Sequence, residues 1–381
     1  MKIAIFTDTY APQVSGVVTH IRILKEGLEE KGHEVLIVTV SPDVDDYTLK
    51  DNVLYCPGHA VKKIYGYGVT SPVSYHRLDM IKEFDPDVIH IQTEFAIGLF
   101  GLWTAKKLHK PIVYTLHTMY DDYTGYVFPH RIEKIGKSIA HRYFHIIAAH
   151  AKEIIVPSKK AITFLGYCGI KREFNYIPNI AEPDEYDPEK TRSIIEKYEL
   201  DKAEAVLCFT GRMGKEKSVD VLLELFKKAL EKHPGLRLIL IGGGPEESDL
   251  RKQALKLGIG KEVIFTGMIP HEYVTPYLYA SDLYATASTS EMNSISALEA
   301  KASGLMVLQR LDESNRDQIV DGVNGWTFET EDEFCALLDD YLKKSKEERD
   351  SLKERVMTYT RSFGKDEFLS RVEEIYKKVL R

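Results

Sequence analysis

Short runs of Ile, Val and Leu recur along the chain, and between most of them lie longer segments whose apolar residues fall at helical spacing. Short apolar runs suit strands buried on both faces, and their alternation with amphipathic helices predicts βαβ units and a parallel sheet. In the first half the predicted strands are Lys2 to Thr7, Val35 to Val40, Val88 to Gln92, Ile112 to Leu116 and Ile154 to Pro157. Val17 to Lys31 places Ile21, Leu24 and Leu28 on one helical face and stops at Gly32, the residue type that ends helices in the left-handed conformation. From Ile180 to about Leu200 the pattern lapses into an acidic, proline-bearing stretch, and a new strand opens at Ala205 to Thr210. The alternation then resumes through Leu236 to Ile241, Val263 to Thr266, Leu283 to Thr286 and Met306 to Gln309.

The expectation is therefore an α/β protein of two doubly wound parallel-sheet domains, residues 1–180 and 181–364. Phe368, Leu369, Val372, Ile375, Tyr376, Val379 and Leu380 form the apolar stripe of a last helix that needs a host surface, and 365–381 is expected to pack back on the first domain. A chain of 381 residues is comfortable for two such cores.

The net charge of −7 argues against nucleic acid as a partner, since phosphate backbones are held by surfaces rich in Lys and Arg. Cys56, Cys168, Cys208 and Cys335 lie far apart, with no spacing that suggests zinc or a redox pair, which fits a reducing cytoplasm. The N-terminus has no signal-peptide core, and the longest apolar stretch, Phe95 to Trp103, is too short to span a bilayer. The expected location is cytoplasmic, with any membrane contact peripheral.

In open α/β sheets ligands bind beyond the carboxyl ends of strands, where helix N-termini and glycine loops offer backbone N–H groups to anions. Three segments have that form. Pro12 to Val17 follows strand one, and Gly16 either lets a substrate approach the backbone or simply satisfies a turn. In Thr210 to Ser218, Arg212 and Lys217 can reach a diphosphate, one as a planar fork and one as a point charge, or the segment is a solvated turn. Ser288 to Ser303 leads from a strand end into a helix over Ser294 to Ser303, so N–H groups near Asn293, Ser294 and Ile295 can meet an anion. Glu291 then falls in the loop and Glu299 more than a turn into the helix. A carboxylate can accept hydrogen bonds from two vicinal sugar hydroxyls, as at a ribose; ordinary surface glutamates are the alternative. His117 stands at the end of a predicted strand in Thr115-Leu116-His117-Thr118, a position that favours a site role over a structural one.

The glycine loop after strand one, Gly211-Arg212 with Glu216-Lys217, Ile241-Gly242-Gly243-Gly244-Pro245, and two Glu with seven residues between them resemble, in order and spacing across nearly the whole chain, the large retaining GT-B glycosyltransferase family with its E-x7-E motif. The resemblance implies two Rossmann-like domains facing across a crevice and a nucleotide-sugar donor. It implies that Arg212 and Lys217 hold the diphosphate and help it leave, that Glu291 meets the transferred hexose, and that Glu299 binds ribose. It also implies that Gly16, Gly243 and the Asn293-Ser294-Ile295 turn line the donor, with the base near the backbone of Gly267-Met268-Ile269 and His117 beside the sugar.

Met119 to Tyr126 resembles the subgroup that glucosylates diacylglycerol, which implies acceptor contacts from Tyr120, Asp121, Tyr123 and Tyr126; tyrosines at this spacing can equally pack on a helix. That likeness favours UDP-glucose, whereas the residues themselves leave UDP and GDP, and glucose, galactose and mannose, open. The chain departs from the family pattern at Ser15-Gly16, where a glycine pair is usual, at Asn293-Ser294-Ile295, which lacks the usual glycine, and at Asn179-Ile180-Ala181, which replaces Gly-Ile-Asp.

Between Phe128 and Glu173 nine Lys or Arg stand against three Glu, and Ile132, Ile135, Ile139, Tyr143, Ile146 and Ile147 share a helical face. Such a segment suits either a helix lying on anionic lipid, at the cytoplasmic face of a membrane, or a core helix with a solvated basic side. Asp85-Pro86-Asp87 and Asp43-Val44-Asp45 fit a D-x-D metal pattern but read as turns, so no metal is expected, cationic residues serving the leaving diphosphate instead. The competing functions are the same fold with a sugar-phosphate, thiol-precursor or polysaccharide acceptor, and a nucleotide-sugar-binding protein without transfer. A dehydrogenase is disfavoured because no Gly-x-Gly-x-x-Gly follows strand one.

Overall fold

The computed structural model describes residues 1–13, 15–60, 68–117, 133–182, 185–312 and 317–381. The chain forms two compact units, Met1–Asn179 together with Lys365–Arg381, and Ile180–Gly364.

In the first unit eight strands form one sheet: β1 (Lys2–Phe6), β2 (Glu34–Ser41), β3 (Thr48–Lys50), β4 (Val53–Pro57), β7 (Val88–Ile91), β8 (Ile112–Thr115), β9 (Glu153–Val156) and β10 (Asn175–Tyr176). Their order is β10-β9-β8-β7-β1-β2-β4-β3, with β5 (His59–Ala60) and β6 (Gly68–Val69) forming a separate antiparallel pair. All pairings in the main sheet are parallel except β3 with β4. Ile3, Ala4, Ile5 and Phe6 are fully buried, as a central strand covered on both faces requires. The chain leaves β1 toward β2 on one side and returns to β7 on the other, so the switch of direction falls at β1.

The helix Gly16–Glu30 starts on Ser15, whose Oγ accepts from the Val18 N–H at 3.3 Å, and is followed by Gly32 at φ +82°. The last helix, Lys365–Leu380, lies against it: a Cβ on Gly27 would collide with Leu369, and His33 Nε2 meets Glu373 Oε1 at 2.8 Å. Phe368, Leu369, Val372, Ile375, Tyr376 and Val379 are buried there, but Leu380, expected on the same stripe, is 45% exposed because the helix ends with it.

The second unit is a six-stranded, wholly parallel sheet of β11 (Ala205–Thr210), β12 (Leu236–Ile241), β13 (Val263–Gly267), β14 (Leu283–Thr286), β15 (Met306–Arg310) and β16 (Gly325–Phe328). The order β13-β12-β11-β14-β15-β16 puts its switch point between β11 and β14. Among the described residues no helix is long and apolar enough to cross a membrane.

Candidate functional site

The segments after β11 and β14 belong to adjacent strands at the switch point of the second sheet, although 74 residues separate Lys217 from Glu291 in sequence. The Nζ of Lys217 forms an ion pair with Glu291 Oε1, both side chains less than one-fifth exposed. Beside it Arg212 Nη2 donates to Glu216 Oε1 at 2.6 Å, and Glu216 is almost wholly buried. The Glu216 carboxylate fills the space a Cβ on Gly214 would need, which accounts for glycine at that position. The Ser288 and Ser290 hydroxyls donate to the Glu216 carbonyl at 3.1 and 2.8 Å, tying the two segments together.

The glycines of Gly242-Gly243-Gly244 serve backbone contact between loops. Gly242 has φ +119° and packs on the Gly211 carbonyl, the Met213 N–H donates to the Gly243 carbonyl at 2.9 Å, and a Cβ on Gly243 would lie 3.2 Å from the Met268 nitrogen. Gly243 thus stands next to the Met268-Ile269 segment, where Met268 is 82% exposed and Ile269 half-buried. The helix Ile295–Ala302 starts on Ser294, whose Oγ accepts from the Ala297 N–H at 3.3 Å. Within the turn that lacks the usual glycine, Ser294 is therefore a side-chain cap, Ile295 is buried and Asn293 is half-buried. One turn on, Glu299 Oε1 lies 2.8 Å from His271 Nε2. His271 opens a short 3-10 turn after β13, and no local pattern in the sequence singles it out.

The first unit brings a histidine cluster to the ends of β7 and β8. His117 Nε2 donates to Gln92 Oε1 at 2.5 Å, the Gln92 amide nitrogen lies 3.2 Å from His90 Nε2, and His90 bonds Thr115 Oγ1 and Tyr376 Oη, each at 2.7 Å. His20 sets its ring edge-on to His117, with centroids 4.5 Å apart, and bonds the Asn179 side chain. Burial lowers the pKa of His20 to about 4 and of His90 to about 3, and burial with these two neighbours holds His117 well below the usual value. All three are neutral near pH 7. The Gln92 oxygen fixes His117 as the Nε2–H tautomer, leaving Nδ1 as an acceptor. Gln92, His90 and His20 are missed by sequence reading, since each acts through a partner that the fold supplies, and Glu216, though part of the Glu216-Lys217 motif, shows no role in sequence because its burial against Arg212 does not show there.

Gly16 is the first residue of its helix. Tyr120, Asp121, Tyr123 and Tyr126 lie outside the described residues, as do Arg131 and Ile132. In the described part of the helix Glu133–His150, Phe144, Ile147 and Ala148 are buried, while Tyr143 and Ile146 of the apolar face are half-buried. Some of the counted basic residues are also committed within the protein. Lys160 is buried, Arg172 donates to the carbonyls of Ala148, Ala151 and Lys152, and Lys152 to that of Val379. Asp85 ends a helix at φ 50° and pairs with Lys110, and Asp87 Oδ2 accepts from the Lys2 N–H, so this Asp-Pro-Asp run is structural.

The pattern described as Glycosyl transferases group 1 matches residues 190–357, and that described as Glycosyltransferase Family 4 matches residues 14–185. The chain is 31% identical to an alpha-monoglucosyldiacylglycerol synthase of Acholeplasma laidlawii, over 99% of this chain and 96% of that one. A synthase of the same name from Streptococcus pneumoniae is 34% identical over 81% of this chain and 70% of its own. Among solved structures, Anabaena HepE in complex with UDP superposes with a TM-score of 0.74 at 16% identity, covering 99% of this chain and 100% of that one. Sucrose-phosphate synthase from Thermosynechococcus elongatus gives 0.76 at 17% identity, covering 99% and 98%.

Proposed function

This chain belongs to the group 1 glycosyl transferases, with the GT-B fold, and on that premise we propose that it transfers glucose from UDP-glucose to diacylglycerol, with retention at the anomeric carbon, at the cytoplasmic face of a membrane. The observation that carries the lipid acceptor is the end-to-end likeness to a monoglucosyldiacylglycerol synthase, which leaves almost no segment of either chain unmatched.

Support for the donor comes from the second unit. Arg212 and Lys217 bring two cations to the switch point of its sheet, where the diphosphate of a nucleotide sugar would accumulate charge as it leaves. In the proposed reaction the bond from the sugar C1 to the β-phosphate oxygen breaks, the acceptor hydroxyl oxygen bonds to C1 on the same face, and its proton passes to the departing phosphate. No protein base is then needed. Lys217 leaves Glu291 for phosphate when the donor binds, which frees that carboxylate for a hexose hydroxyl, while Glu299 takes the ribose. His117 Nδ1, an acceptor, suits a sugar hydroxyl. With two cations at the leaving group no metal is required, and peripheral contact with anionic lipid supplies the acceptor.

Purified protein given UDP-glucose, with and without diacylglycerol in anionic mixed micelles, is expected to release UDP only when the lipid is present and to yield the α-glucoside, with chelator having no effect. Replacing Arg212 and Lys217 together by Ala should lower kcat by at least about a hundredfold, the scale of losing charge stabilisation at a leaving group. Undiminished turnover in that double variant would sink the assignment.

A further inference from the structure

We propose that His271 is a positioning residue for the donor nucleotide, holding the Glu299 carboxylate in the orientation in which it reads the two ribose hydroxyls. This rests on Glu299 being the ribose-binding residue of the function proposed above. Glu299 lies in the second turn of the helix Ile295–Ala302 with a side chain only 9% exposed, so its carboxylate needs a donor within the protein. His271 supplies one, Nε2 to Oε1 at 2.8 Å. A carboxylate has about four acceptor sites, so a single imidazole leaves enough of them for two vicinal hydroxyls.

The two acids of the site are held differently, and the difference suits their tasks. Glu291 is held by Lys217, a flexible point charge that can move to a phosphate. Glu299 is held by a planar ring with two side-chain torsions, which fixes the direction of the bond. His271 also follows Gly267-Met268-Ile269-Pro270 directly in the chain, so one short segment sets the approach to the base and the acid that meets the sugar next to it.

The full chain is titrated calorimetrically with UDP and with 2′,3′-dideoxy-UDP, comparing wild type with Glu299→Gln, His271→Ala and His271→Gln. His271→Ala is expected to weaken UDP by about tenfold, as for loss of a hydrogen bond to a charged group, while leaving the dideoxy nucleotide nearly unchanged. His271→Gln, whose amide can donate to the same oxygen, should keep most of the preference and shows that any loss in the Ala variant is not misfolding. With UDP-glucose, KM should rise by a similar factor while kcat stays within about threefold. Loss of the preference in Glu299→Gln but its full retention in His271→Ala would overturn this inference alone. Retention in Glu299→Gln would overturn the ribose role of Glu299 and this inference with it.

Discussion

Three imidazoles, His20, His90 and His117, lie together in the first unit with no acidic partner in the contacts that join them, and burial keeps them uncharged. An unfolded histidine takes up a proton near pH 6.5, whereas folded His20 and His90 do so only near pH 4 and 3. Between these values the unfolded chain binds more protons, so stability rises with pH up to about 6.5 and is lost as pH falls toward 4. Denaturant unfolding at pH 5, 6 and 7 is expected to show this slope. In His90→Gln it should be shallower by up to about 1.4 kcal/mol per pH unit, one proton's worth; an unchanged slope would show that His90 does protonate in the fold. Of these residues only His117 is legible in the sequence, because it ends a strand. His90 lies inside an apolar strand pattern and Gln92 at its end, and Glu216 stands beside two conspicuous cations, so none shows in sequence the buried partner that it meets in the fold.

Glycines within helices meet different surroundings, and the space around each decides what a methyl group would do. On the helix Ala96–Leu108, a Cβ at Gly101 would lie 2.8 to 3.1 Å from the Phe6 ring and its Cβ. On the helix Lys159–Tyr167, a Cβ at Gly166 meets nothing within 4 Å. Gly101→Ala should therefore cost about 1–3 kcal/mol by overpacking. Gly166→Ala should gain about 0.4–1 kcal/mol by restricting the unfolded chain. Melting temperatures moving in opposite directions would check both, and a stable Gly101→Ala would mean that β1 and this helix can separate freely. The central parallel strands are legible because burial on both faces makes them continuously apolar. Thr48–Lys50, exposed at each position, and Asn175–Tyr176, two polar-tipped residues, are not, since edge strands are held by backbone pairing that composition does not record. The helix at Glu133–His150 shows the converse limit: its periodicity is plain, but an apolar face alone does not say whether core or lipid covers it.

At the scale of the whole molecule, the first unit is completed by the last helix of the chain, which buries six large apolar residues and contributes Tyr376 to the His90 cluster. The stripe on 365–380 announces a docked helix in the sequence; its seat beside Gly27 does not show, because a close approach through glycine leaves no periodic trace. A chain ending at Gly364 is expected to unfold less cooperatively and to bind a hydrophobic dye, and a peptide of residues 365–381 added to it should reverse both. Dye binding equal to that of the full chain would argue against a structural need for the helix. The same arrangement sets a schedule for synthesis. At about 5–20 residues per second, the ribosome needs roughly 10 to 40 s to make the second unit after finishing residue 179, so the first sheet waits that long beside the exit tunnel with its seat for the last helix uncovered. A nascent chain of this kind has reason to engage holding chaperones early and to be released only after its final residues emerge.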